Sequence, residues 1–182
     1  MTIKFKLLSI ISTLLLSLSV VASNDPITIG DVEMASDTKS AAFEQVKKKL
    51  GKWEGTMVQG LNGAVIDVSY EFAMTSGGNT ITETLVEDGV QMLTTYSDDD
   101  GELVIRHYCG LGTEPVFKVD NLSAKGMSII LDKSKADLHA EHESFVTNMK
   151  WVMNSKDSIT FENTVMLDGS PTSNKAQLKR VL

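Results

Sequence analysis

From residue 51 to the C-terminus, apolar side chains recur at every second position, and the period that precedes them is different. Ile66, Val68, Tyr70, Phe72 and Met74 alternate with Asp67, Ser69, Glu71 and Ala73. Phe145, Thr147, Met149, Trp151 and Met153 alternate in the same way with Val146, Asn148, Lys150 and Val152. A period of two belongs to a strand with one face turned to an apolar interior. Upstream, Phe43, Val46 and Leu50 are spaced by three and four, which predicts one amphipathic helix. Asp37 or Ser40 can cap its start, and Gly51 can close it in a left-handed conformation. Lys47, Lys48 and Lys49 fall in the last turn, where cations complement the helix dipole, so the basic run has a structural explanation.

Turn chemistry divides the alternating region. Leu61-Asn62-Gly63, Ser76-Gly77-Gly78, Glu87-Asp88-Gly89, Asp98-Asp99-Asp100-Gly101, Asn154-Ser155-Lys156-Asp157 and Asp168-Gly169-Ser170-Pro171 each join neighbouring strands. The strands are expected to begin near Lys52, Ala64, Asn79, Val90, Glu102, Pro115, Lys125, Glu143, Ser158 and Asn174. No second helix is long enough for a parallel crossover. The fold class expected is all-β: an antiparallel up-and-down β-barrel of about ten strands preceded by one short helix, since closure removes exposed edges. A two-sheet sandwich is the competing architecture.

The first residues have a separate logic. Lys4 and Lys6 precede an apolar run, Leu7 to Val21, and Val20-Val21-Ala22-Ser23 supplies small residues for cleavage. That is the pattern of a secretory signal peptide, and the run is short for a membrane-spanning helix. The expected organisation is a signal peptide over 1–23, a lead-in over 24–36, and a helix plus barrel over 37–182. The mature chain is then expected in the periplasm or the extracellular medium, without stable membrane insertion.

Charge narrows the partners. Of 182 residues, 17 are Lys or Arg and 24 are Asp or Glu, a formal charge of −7. Loss of Lys4 and Lys6 would take it to about −9. Such a field repels phosphate backbones, so nucleic acid is not an expected partner. The single cysteine, Cys109, cannot form an intramolecular disulfide, so the fold relies on its core. A chain of roughly 160 residues buries about 70% of its unfolded surface and needs no such bridge.

Gly51-Lys52-Trp53-Glu54-Gly55, after a short helix and at the start of the first strand, resembles the Gly-x-Trp opening of lipocalins and the wider calycin group. In those barrels a basic side chain of the last strand packs on the Trp, and the resemblance assigns that place to Arg180, in phase with Ala176, Leu178 and Leu182. Trp53 and Arg180 are then structural. Thr94-Thr95-Tyr96, the turn to Gly101, Leu103 to Cys109 and Glu114-Pro115 resemble an uncharacterised bacterial family of secreted lipocalin-like proteins with a His-Tyr-Cys strand. That family implies a fold and no established reaction. Haem-binding barrels of the nitrobindin type are similar in the Gly-x-Trp strand and strand number. Where they carry an axial His before a Leu, this chain has Gln177 before Leu178, so haem would need another ligand.

His107 and Cys109 share a strand face with Leu103 and Ile105, and both point inward if that face does. Their roots stand roughly 6.6 Å apart, too far for a ready thiol–imidazole hydrogen bond. Two ligands are fewer than zinc requires, and His139 and His142 are the candidates to complete a metal set. The expected state is a hydrogen-bonded core histidine beside a buried thiol, with His139 and His142 solvated. Glu83 shares a face with Ile81 and Leu85, opposite Thr80, Thr82, Thr84 and Val86; the solvated carboxylate is the expectation, a carboxylate in an apolar cavity the alternative. Asp98, Asp99 and Asp100 read as a solvated hairpin tip.

These readings converge on a barrel that binds a small apolar or amphipathic ligand among Tyr70, Phe72, Met92, Tyr96, Ile105, His107, Cys109, Phe145, Met149 and Trp151. Catalysis is not the favoured reading. The alternatives are a metal-dependent protein using His107, Cys109, His139 and His142, and an envelope interaction module with a filled barrel. Haem or a metal ion is possible as cofactor and neither is favoured; the oligomeric state is left open.

Overall fold

The computed structural model describes residues 28–30, 32–33, 38–135 and 137–181. The signal segment expected over 1–23 lies outside the described residues, as do Asp37 and Leu182. Thr28–Ile29 (β1) and Val32–Glu33 (β2) pair as a short antiparallel ladder across Gly30.

The helix α1 spans Ala41–Lys47. Ser40 is the cap: its hydroxyl oxygen accepts from the Phe43 amide at 3.1 Å. Asp98 accepts the Ser40 amide at 2.8 Å and is nearly buried, which corrects its assignment to a solvated hairpin tip. An outward hairpin residue would leave the amide ahead of the cap unpaired; Asp98 ties the helix start to the barrel instead. Phe43 and Val46 are buried as their spacing predicts, and α1 packs against strands from across the barrel end.

The barrel is β3 (Gly51–Val58), β4 (Val65–Thr75), β5 (Thr80–Glu87), β6 (Val90–Asp99), β7 (Glu102–Tyr108), β8 (Val116–Ser123), β9 (Gly126–Leu131), β10 (Phe145–Ser155), β11 (Ser158–Leu167) and β12 (Ser170–Arg180). Each strand pairs antiparallel with the next, and β12 pairs with β3 to close the ring. Closure settles the choice against a sandwich. Asp88-Gly89, Asp100-Gly101 and Asp168-Gly169 are two-residue turns with both φ angles positive, the geometry that matches strand twist. Because the last of these turns ends at Gly169, β12 starts at Ser170, four residues before the expected Asn174; Ser170 and Pro171 already pair with Leu167 and Met166.

The closing seam depends on small and flat groups. Leu178 faces Gly55 across the β12–β3 pair, and a β-carbon on Gly55 would sit 1.9 Å from the Gln177 carbonyl oxygen. Arg180 lies 4.1 Å from the centre of the Trp53 ring and donates to the Leu50 and Lys48 carbonyls. The Trp53 indole in turn donates to the Lys49 carbonyl at 2.7 Å. Helix end, first strand and last strand are thus held by one stacked pair.

Two strands depart from simple alternation, β8 between Val119 and Asn121 and, with more consequence for the interior, β10. Register shifts between Val146 and Asn148, so Thr147 is an extra residue that reverses the phase of β10. Val146 takes the interior position opposite Val165, and Phe145 is displaced from the face of Met149 and Trp151.

Arg180→Ala should lower the unfolding free energy by about 3 kcal/mol, through lost stacking and carbonyls left without donors. Arg180→Lys should recover less than half of that, because an ammonium cannot reproduce the fork. Urea unfolding midpoints of the three proteins check both expectations.

Candidate functional site

The barrel interior has two halves. At the end covered by α1, Tyr70, Phe72, Tyr96, Trp151 and Phe161 fill the cross-section, with Tyr70 and Trp151 each 5.5 Å from Phe161. Buried among them is Lys49, whose Nζ lies 3.7 Å from the Trp151 ring centre, 4.4 Å from Phe72 and 5.0 Å from Tyr96. This corrects its reading as a dipole-complementing surface cation. The helix stops at Lys47, yet Ala42, Val46 and Lys49 keep intervals of four and three, so Lys49 continues the buried face.

Glu83 is the second correction: it is fully buried, not solvated, because the Ile81–Glu83–Leu85 face is the inner one. Tyr96 donates its hydroxyl to Glu83 Oε2 at 2.5 Å. Burial pushes the Glu83 carboxyl up from its ordinary range, and the Lys49 charge and Tyr96 hydrogen bond act against that rise. Burial likewise lowers the Lys49 ammonium to about 8, opposed by Glu83. Three buried polar atoms among the described residues have no hydrogen-bond partner, and two of them are Lys49 Nζ and Glu83 Oε1. Their compensation is electrostatic: aromatic faces for the cation and the long-range attraction of the pair.

A polar row continues from this pair toward the other half. Glu83, Thr94 and His107 are direct cross-strand partners on β5, β6 and β7, and all three are buried. Thr94 Oγ1 and His107 Nδ1 share a hydrogen bond of 2.9 Å. Burial lowers the His107 imidazole to about 4, so the ring is neutral at physiological pH.

Beyond His107 the packing opens into a cavity of about 350 Å³ at the end away from α1. Its walls are mainly apolar, with Ile66, Leu85, Val146, Phe161, Val165 and Leu167 prominent. The polar part of the wall is made by Glu87, Asn163 and Asn174 beside His107 and Cys109, with Gln59 and Thr172 also lining it and Asp88 exposed at the rim. Tyr70 donates to Glu87 Oε1 at 2.6 Å from below. Burial pushes the Glu87 carboxyl up, opposed by that hydrogen bond. Exposed Leu61, Val90 and Leu111 surround the mouth.

Of the ten residues expected to line a cavity, Met92, His107, Cys109 and Met149 do so. Tyr70, Phe72, Tyr96, Ile105 and Trp151 are buried in the packed half instead, as parts of one hydrophobic cluster. Phe145 is buried but outside the cavity wall, since the bulge at Thr147 gives that place to Val146. His139 and His142 are exposed on the β9–β10 connection, their rings stacked with centres 5.3 Å apart. The structure does not gather them with His107 and Cys109: among the described residues no group of three or more His, Cys, Asp or Glu is placed to hold a metal. Burial pushes the Cys109 thiol up, away from the reactive thiolate.

Glu83 was readable from its phase with Ile81 and Leu85. Val146 was not, because nothing in the sequence marks Thr147 as a bulge. Glu87 lay hidden in a turn motif, and Asn163 in a strand with polar residues on both faces.

No family profile matches the chain, and no curated protein does. A solved structure of a protein of unknown function from the DUF3598 family of Nostoc punctiforme has a similar fold, with a TM-score of 0.56 at 10% identity. The match covers 75% of this chain and 49% of that one, so the chain spans about half the length of its neighbour. At that identity the likeness is one of architecture alone.

Two outcomes follow from the buried charges. Removing one partner strands the other, so Lys49→Met and Glu83→Gln should each destabilise the fold, whereas the double variant should be more stable than either, with a coupling of at least about 1 kcal/mol. Denaturant unfolding of the four proteins measures it. His107 gives a pH dependence. The unfolded histidine takes its proton near 6.5 and the folded one only near 4, so its contribution is present above 6.5 and lost as pH falls toward 4. The loss is at most about 3 kcal/mol. Glu83 and Glu87, pushed up by burial, act in the opposite sense; the quantity to measure is therefore the difference between wild type and His107→Gln across that window.

Proposed function

We propose that this protein is an exported, lipocalin-like carrier that holds a small apolar or amphipathic molecule in the open half of its barrel. The observation that supports the reading best is the cavity of about 350 Å³, apolar on most of its wall and open at one end of an otherwise filled barrel. Its size and mixture of apolar wall and few polar groups are those of small-molecule sites. The exposed apolar residues at the mouth suit the passage of such a molecule from a membrane or another carrier. The amino-terminal pattern of Lys4, Lys6, an apolar run and small residues supports export to the periplasm or beyond. The resemblance of the Gly-x-Trp and His-Tyr-Cys segments to secreted lipocalin-like proteins points the same way. A neutral His107 and an un-ionised Cys109 act in this reading as polar points on the wall.

The test is fluorescence titration with the neutral apolar dye N-phenyl-1-naphthylamine. Saturable binding with one site per chain is expected. Val165→Trp, which fills the cavity from the β11 wall, should weaken it at least tenfold, about 1.4 kcal/mol, while keeping the far-ultraviolet circular dichroism spectrum. Unsaturable binding, or equal affinity in the folded variant, would overturn the carrier reading.

A further inference from the structure

We infer that the cavity selects apolar molecules bearing a protonated amine, with Glu87 as the group that receives the amine. The inference rests on the carrier reading and names the class of ligand for that site.

The argument begins with which charges reach the cavity. Among the described residues, its ionisable wall groups besides His107 and Cys109 are Glu87 and Asp88, and no Lys or Arg side chain lines it. Lys49 is the nearest candidate for a counter-charge in the interior, and it is enclosed by Phe72, Tyr96 and Trp151 in the other half, facing Glu83. A carboxylate-headed amphiphile would therefore bring an anion into a confined apolar space beside two acidic residues with no cation to meet it. Desolvation and like-charge repulsion both oppose that. A chain with a formal charge of −7 adds the same sign at long range.

For a cation the charge–charge terms reverse, and the attraction of Glu87 offsets the desolvation cost that an ammonium shares with a carboxylate. Glu87 lines the cavity and is held by the Tyr70 hydroxyl on Oε1, at 2.6 Å, which leaves its second oxygen to accept from a ligand. His107 is 2% exposed, and its Nδ1 is engaged with Thr94 at 2.9 Å, so the other ring nitrogen is free to serve the cavity. Asn174 donates to Asn163 Oδ1 at 2.9 Å, and both residues line the same space as neutral groups. A carboxylate fixed from below by a tyrosine, with neutral polar groups beside it and aliphatic walls around it, is built to accept a charged donor. Asp88, exposed at the rim, attracts the same charge at the mouth.

The experiment compares three probes with one chain and different heads: octylamine, octanol and octanoate, each displacing N-phenyl-1-naphthylamine from the full-length mature protein at pH 7. Octylamine is expected to bind at least tenfold more tightly than octanol, and octanoate more weakly than octanol. Glu87→Gln keeps the shape and an acceptor for Tyr70, so it should abolish the advantage of the amine over octanol. Octanoate equal to or tighter than octylamine would overturn the inference while leaving the carrier reading in place. So would an amine preference that survives in Glu87→Gln. Failure of the dye and all three probes to bind would overturn the carrier reading itself.

Discussion

Everything inside this barrel depends on how its two ends of chain are joined. A ring of ten strands closes only if the last strand meets the first in register, and here that junction is fixed by the Arg180 guanidinium lying on Trp53 while donating to carbonyls at the end of α1. The absence of a side chain on Gly55 lets the two backbones approach. Closing the ring in this way also sets where the helix ends. The residue after the helix cap, Lys49, is then directed into the interior, its carbonyl held by the Trp53 indole.

An ammonium group so placed demands compensation, and the sequence supplies it with aromatic faces from β4, β6 and β10 and a carboxylate from β5. Those large side chains occupy the whole cross-section at that end. Past the Glu83–Thr94–His107 row the wall is mainly aliphatic, with Phe161 the one aromatic ring on it among the described residues, and the interior opens into the cavity. A filled half and an open half therefore follow from one arrangement, and the polar row marks the boundary. The charged interior is local to the filled half, which is why the open half is left with acidic and neutral groups alone.

Much of this was legible in residue patterns. Alternation and turn residues gave the strands and their order, because a two-residue Asp-Gly turn between apolar runs admits few other geometries. The Gly-x-Trp segment and the phase of Arg180 identified the closing contact. Individual interior positions were less accessible. Alternation says which face looks inward and nothing about depth, so Tyr70 and Tyr96 could not be separated from Met92 and Met149. The assumption that charge stays outside misplaced Lys49, Glu83 and Asp98, each buried through a partner distant in sequence. The bulge at Thr147 has no composition of its own: Val146-Thr147-Asn148 carries neither a glycine nor a proline to mark the extra residue.

The central claim is that the open half of the barrel holds a small organic molecule. Native mass spectrometry of the protein, isolated from the cells that make it and again after incubation with apolar amines, addresses it most directly. The account predicts one organic adduct per chain, lost in Val165→Trp. A bare protein mass in both samples would contradict it.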